Sequence, residues 1–185
     1  MAKFTIIGID QGLASCGYGV IRFKKTKKSI KIDKVLDYGV IKTTSKQETK
    51  DRLVYIHNKL TELVDTYKPI GISCERLFYS APSKGQRKKS ASIITTNMVT
   101  GLVILTAGEN NLEFADFVPS SVKKEITGNG KATKEDMIST IPKILGIEEG
   151  VVKIEHQADA LSIAYTFGMR INKNKEENEE EEVDG

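Results

Sequence analysis

Cysteine is scarce in this chain of 185 residues: Cys16 and Cys74 are the only two. Two cysteines cannot fill a structural zinc site, and both lie in or beside strand-like segments. Buried free thiols in a reducing, cytoplasmic setting are therefore expected, rather than a disulfide. No apolar run reaches the roughly 18 residues of a membrane-spanning helix. Near the N-terminus there is Lys3 and then only a short apolar strand, without the cleavage-site pattern of a secretory signal. No internal repeat is visible. The stretch TGNGKATK (127–134) falls short of a phosphate-binding P-loop, because Glu125 occupies the first glycine position and Ala132 follows Gly130-Lys131. An ATP site there is excluded.

What is present is an uneven charge. The net charge is +3, but residues 171–185 carry seven acids against two lysines, which leaves the first 170 residues at +8. A basic body points to a polyanionic partner. The expected organisation is one folded domain over residues 1–170 and an acidic, disordered tail over 171–185. The tail reads as a solvated solubility segment; the competing reading is a nucleic-acid mimic that covers the basic face.

The run Phe4-Thr5-Ile6-Ile7-Gly8-Ile9-Asp10 predicts a buried strand that ends in a carboxylate. Residues 17–21 predict a second strand, antiparallel to the first, and residues 30–43 a third. Leu53, Ile56, Leu60, Leu63, Val64 and Tyr67 fall at helical spacing, stopped before Pro69. Residues 70–75 predict a short buried strand that ends in Glu75. Residues 76–92 read as a loop leading into a helix over 90–107. A fifth strand over 113–118, a helix opened by Pro119, a helix over 134–145 kinked or shortened by Pro142, and a last helix from about His156 complete the chain. This order predicts an α/β fold, with a mixed five-stranded sheet, its first three strands antiparallel, flanked by helices.

Asp10 and Glu75 end strands, and Asp159 lies near a helix start. His156 is three residues before Asp159 and shares its helix face; Glu155, four before, could share it too. Carboxylates that converge without a basic partner favour divalent cations. Oxygen donors with one imidazole suit Mg²⁺ or Mn²⁺, and two such ions can drive phosphodiester hydrolysis. Each residue also has a plainer reading: Asp10 as a turn-former, Asp159 as a helix-dipole partner, His156 as a cap. Glu75 is the hardest to explain away, because an unpaired carboxylate in a buried strand is costly.

GIDQGLASCGYGVI (8–21), DYGVI (37–41), CERLF (74–78), VKKEITGNGKATK (122–134) and HQADALSIA (156–164), in this order, resemble the RuvC Holliday-junction resolvases. The resemblance runs from about Ile6 to Ala164. It implies an RNase H-like fold with helices on both faces of the sheet. It also implies a homodimer that cuts four-way DNA junctions with two Mg²⁺ ions per site, leaving 5′-phosphate and 3′-hydroxyl ends. Mn²⁺ is expected to substitute. Other branched DNA would be bound as well, and a branch-migration complex is a further partner in a host setting. By motif, Asp10, Glu75, His156 and Asp159 take the four metal-site positions. Lys123 and Lys134 take those of two lysines near the scissile phosphate. Phe78 takes that of an aromatic stacking at the junction centre, although it reads equally well as a core residue. The basic run Lys84, Arg87, Lys88 and Lys89 is expected to meet DNA. Two departures stand out: Gln11 follows the first Asp where the family usually has Pro, and His156 stands where Asp is frequent. These suit an outlying, phage-type member.

Three rival functions differ in what they require. An actin-like ATPase needs two lobes, for which 185 residues are too few. An RNase H-like nuclease acting on RNA would not need Phe78 or the lysine-rich loop. A non-catalytic junction-binding protein would not need all four metal positions filled by ligand-capable residues.

Overall fold

The computed structural model of the protein describes residues 2–76, 87–148 and 150–171, and the side chains of its second helix from residue 93 onward. Five strands and five helices follow in the order β1 (Ala2–Asp10), β2 (Ser15–Lys25), β3 (Ile30–Lys42), α1 (Thr49–Tyr67), β4 (Gly71–Glu75), α2 (Arg87–Glu109), β5 (Glu113–Phe117), α3 (Pro119–Thr127), α4 (Lys134–Leu145) and α5 (Glu155–Arg170). The sheet order is β3-β2-β1-β4-β5. β1, β2 and β3 form an antiparallel meander. β4 runs parallel to both β1 and β5. The parallel steps need crossovers, and α1 and α2 supply them.

Strand parity sorts the side chains onto two faces. On one face Ile7, Ile9, Cys16, Val20, Ile72 and Cys74 pack under α1 and α2, against Ile56, Leu60, Val64, Val99 and Val103. On the other, Ile6, Ile21, Phe23 and Phe117 pack under α3, α4 and α5, against Val122, Ile126, Ile141, Leu161 and Phe167. The helices thus cover both faces, as the resemblance implied. Both cysteines are free and buried, and burial pushes each thiol up to about 12. Among the described residues no helix is long and apolar enough to cross a membrane.

Helix ends follow local chemistry. α1 stops at Lys68, which is left-handed (φ 43°) and donates its N–H to the Val64 carbonyl, directly before Pro69. α4 starts with a reciprocal capping box between Thr133 and Asp136. Pro142 does not cut α4 short. The helix runs through it to Leu145 before Gly146 (φ 64°) ends it. α2 begins at Arg87, earlier than the expected residue 90. Ile171, just past α5, is buried among the core residues.

α5 lies close against the sheet because β1 and β2 present glycines to it. A Cβ on Gly8 would sit 2.2 Å from the Ala160 carbonyl oxygen, and one on Gly17 2.1 Å from that of His156. Nothing larger than hydrogen fits at either place. The start of α5 is therefore pressed onto the β1–β2 pair where β1 ends.

Candidate metal centre

Parity decides which acids meet. Ile7 and Ile9 point to the α1–α2 side, so Asp10 points to the α5 side. Its ladder partner is Gly17, the glycine under His156. On β4, Ile72 and Cys74 point to the α1–α2 side, which turns Glu75 toward α5 as well. β1 and β4 are parallel neighbours, so both carboxylates emerge from the same edge of the sheet. The first turn of α5 faces that edge with Glu155, His156 and Asp159.

His156 Nδ1 lies 2.5 Å from Asp10 Oδ2. The imidazole remains 41% exposed at the side chain, against 19% for Asp10, so the pair is open to an incoming ligand. Burial is the first cause pushing Glu75 up to about 7, and the charges of Asp10 and Asp159 add to it. Burial likewise pushes Asp159 up to about 6, with Asp10 and Glu155 adding. Asp10 is raised by burial, against the lowering effect of its hydrogen bond to His156. Burial is thus the first cause that makes all three carboxyl groups resist ionisation, and the charge of Asp10 adds to it at Glu75 and Asp159.

Two lysines border this acidic group. Lys123 on α3 donates from Nζ to the Ala132 carbonyl at 2.7 Å, and its charge lowers the Glu75 pKa. Lys134, the first residue of α4, forms an ion pair with Glu155, and its charge acts on Asp10 and Asp159. Glu155 is therefore engaged by a lysine, whereas His156 is engaged with Asp10. Phe78 and Lys84 lie outside the described residues, and Arg87, Lys88 and Lys89 are described only as backbone of α2.

Gln11 carries an arrangement for which the sequence held no signal beyond an unusual residue. Its side chain is buried. Nε2 donates to the Glu75 carbonyl at 2.7 Å, and Oε1 accepts from the Glu75 N–H at 3.1 Å. The β1–β4 ladder stops at Ile9–Cys74. The Gln11 amide extends it by one rung made from a side chain.

The donors suit a hard divalent cation: three carboxylates, one imidazole, and lysines only at the border. Among the described residues no three of these side chains are drawn together tightly enough to enclose an ion. The donor chemistry fits such an ion, although the side chains stand open. A cleft of about 530 Å³, lined by Tyr18, Asp37, Tyr55 and Tyr67 among others, contains none of Asp10, Glu75, Glu155, His156 and Asp159.

Comparison with known proteins gives one answer at three levels. Residues 6–167 match the family described as crossover junction endodeoxyribonuclease RuvC. The chain is 35% identical over 159 residues to the protein of that name from Caldicellulosiruptor saccharolyticus, covering 86% of this chain and 89% of that one. It is 34% identical over 180 residues to the one from Fusobacterium nucleatum, covering 92% and 88%. The fold is similar to that of Thermus thermophilus RuvC, with a TM-score of 0.74, 26% identity and coverage of 92% of this chain and 96% of that one. T. thermophilus RuvC in complex with a Holliday junction substrate matches at a TM-score of 0.77, with the same identity and coverage.

Proposed function

The chain belongs to the crossover junction endodeoxyribonuclease RuvC family, and from that premise we propose that it cuts four-way DNA junctions at the acidic centre between β1, β4 and α5. The observation that carries this reading is the placement of Asp10, Glu75, His156 and Asp159 around one sheet edge, with carboxyl groups whose ionisation burial hinders and, at Glu75 and Asp159, the charge of Asp10 hinders further. Asp10, Glu75, His156 and Asp159 would hold two divalent ions, Mg²⁺ in the first place and Mn²⁺ as a substitute. Bound there, such ions would supply neutralisation of phosphate charge and a water that is nucleophilic at neutral pH. Water adds to the scissile phosphorus and the P–O3′ bond breaks, leaving a 3′-hydroxyl and a 5′-phosphate. Lys123 and Lys134 bring positive charge to the phosphate from outside the carboxylate group. The Lys134–Glu155 pair keeps Glu155 occupied and leaves the ligand position to His156.

Cutting two strands symmetrically calls for two copies of the chain. The exposed side of α2 supports this. Ile94, Met98 and Leu105 are 57%, 40% and 48% exposed, and Gly101 has open space beside it. Positions 94, 98, 101 and 105 repeat at the spacing of a two-helix seam. The occupant of that seam is α2 of a second copy. A DNA junction as substrate accords with a cytoplasmic setting, and of the acidic tail expected over 171–185, residues 172–185 lie outside the described residues.

The deciding experiment is a labelled four-way junction incubated with and without Mg²⁺ and resolved on a gel, beside a duplex and an RNA hairpin. Paired, Mg²⁺-dependent nicks in the junction alone are expected. Cleavage of the RNA with an intact junction would replace this reading with an RNA nuclease. Junction binding without cleavage in either Mg²⁺ or Mn²⁺ would leave a structure-specific binding protein.

A further inference from the structure

Beside the acidic centre lies a groove of about 410 Å³, part of whose wall, Arg52, Thr95 and Thr96, belongs to none of the five motifs. Its walls are the Gly12–Ser15 turn, Arg52 of α1, Thr95 and Thr96 of α2, and His156. Among the described residues no carboxylate lines it. The groove therefore pairs a permanent cation with the exposed face of a residue that also touches Asp10.

Arg52 differs from its counterparts. Arg22, Arg76 and Arg170 are each held by a carboxylate, from Asp33, Asp116 and Glu125 respectively. The Arg52 guanidinium instead donates from Nε to the Thr43 hydroxyl at 2.8 Å. Thr43 in turn donates its hydroxyl to the Leu13 carbonyl at 2.5 Å and its N–H to the Ala14 carbonyl at 3.0 Å. The chain of contacts runs from the groove floor through Thr43 to the arginine and aims it without neutralising it. Nε is occupied, and no carboxylate among the described residues takes the two terminal nitrogens. Those two match a pair of phosphate oxygens. The floor is narrow by construction, because a Cβ on Gly12 would sit 2.4 Å from the Ser15 carbonyl oxygen.

We propose that this groove binds a phosphodiester of the strand being cut, adjacent to the scissile one, with Arg52 as its charged contact and Thr43 as the residue that positions Arg52. The inference rests on the reading of the acidic centre as a DNA-cutting site. A phosphate caught beside His156 would fix which linkage of the strand reaches the carboxylates.

The test uses four-way junctions in which one linkage at a time, on either side of the cut, carries a neutral methylphosphonate. Binding is measured in EDTA over a salt series, and cleavage in Mg²⁺, for wild type, Arg52→Gln, Arg52→Lys and Thr43→Val. For wild type, one linkage next to the cut is expected to weaken binding about tenfold when neutralised. In Arg52→Gln that linkage should become indifferent, overall affinity should fall about tenfold, and the slope of log affinity against log salt should flatten by about 0.9. Arg52→Lys should restore the slope but not the full affinity, because charge returns without the fork. Thr43→Val should keep the slope and lose affinity about threefold. Melting temperatures identify any variant that simply fails to fold, and the conservative Lys and Val variants then carry the test. If wild type binds and cuts junctions while the variants keep its salt slope and its sensitivity at that linkage, the inference is wrong and the nuclease reading stands. If wild type neither binds nor cuts, both fall together.

Discussion

Gln11 grips both backbone polar groups of Glu75, donating to its carbonyl and accepting from its N–H. The grip joins the ends of β1 and β4 where their own ladder has stopped, and so sets Asp10 and Glu75 relative to each other. Gln11→Met keeps the bulk and removes both contacts. The expected cost is about 1–3 kcal/mol, the penalty for buried groups left without partners. Mn²⁺ affinity by calorimetry should fall about 10–100-fold, the range for residues that orient metal ligands. Junction binding in EDTA should not change. Unaltered Mn²⁺ affinity would reduce Gln11 to a purely structural role.

Asp10→Asn, Glu75→Gln and Asp159→Asn keep shape and remove charge at the ion positions. Each is expected to lower junction cleavage at least a thousandfold while junction affinity stays within about threefold. A variant that still cuts at near wild-type rate takes that residue out of the site.

Glu75 links the site to pH through stability. Its pKa rises from 4.5 to about 7 on folding, so the folded, metal-free protein holds a proton there that the unfolded chain releases. That contribution is complete below about pH 4.5 and is lost as pH rises through about 7, to a total of about 1–3 kcal/mol. Metal-free Glu75→Gln should therefore melt above wild type at pH 8 and converge with it near pH 4.5. Adding Mg²⁺ at pH 8 should raise the wild-type melting temperature and leave that of the variant nearly unchanged. Parallel melting curves for the two proteins at both pH values would refute the linkage.

Gly17 is the floor on which His156 rests. Gly17→Ala puts a Cβ 2.1 Å from the His156 carbonyl oxygen and 3.1 Å from its Cβ, so the first turn of α5 must lift. The expected loss is about 1–3 kcal/mol of stability, as for other overpacked sites, with a fall in cleavage larger than the unfolded fraction explains. Circular dichroism melting beside gel-based rates separates the two effects. A variant with wild-type cleavage would show that α5 can move without disturbing the site.

The α2 seam predicts the assembly. Met98→Glu with Leu105→Glu places charges on an exposed apolar stripe and should convert a dimer to a monomer in light scattering. The melting temperature should change little beyond the loss due to dissociation. A wild-type monomer at micromolar concentration would remove the stripe as a dimer seam.

Much of this was legible along the chain. The meander and the βα steps followed from short apolar runs set apart by turn residues and from apolar spacing in α1. The carboxylates at the ends of β1 and β4 stood out because an acid closing a buried strand is costly without a purpose. His156 and Asp159 could be placed on one helical face by their spacing of three. Pro142 did not shorten α4, which runs through it to Leu145.

Local sequence determined which residues could be ligands, because strand ends, helix faces and donor types are properties of short segments. Tertiary structure decided which of them meet, because that depends on strand order and on which face each residue takes. Parity turned Asp10 and Glu75 to the same side, and two glycines let α5 come near enough for His156 to reach Asp10. Gln11 with Glu75 and Thr43 with Arg52 are separated by 64 and 9 residues. Their polar contacts carry no periodicity, and a pattern that the chain does not repeat can be read only after it has folded.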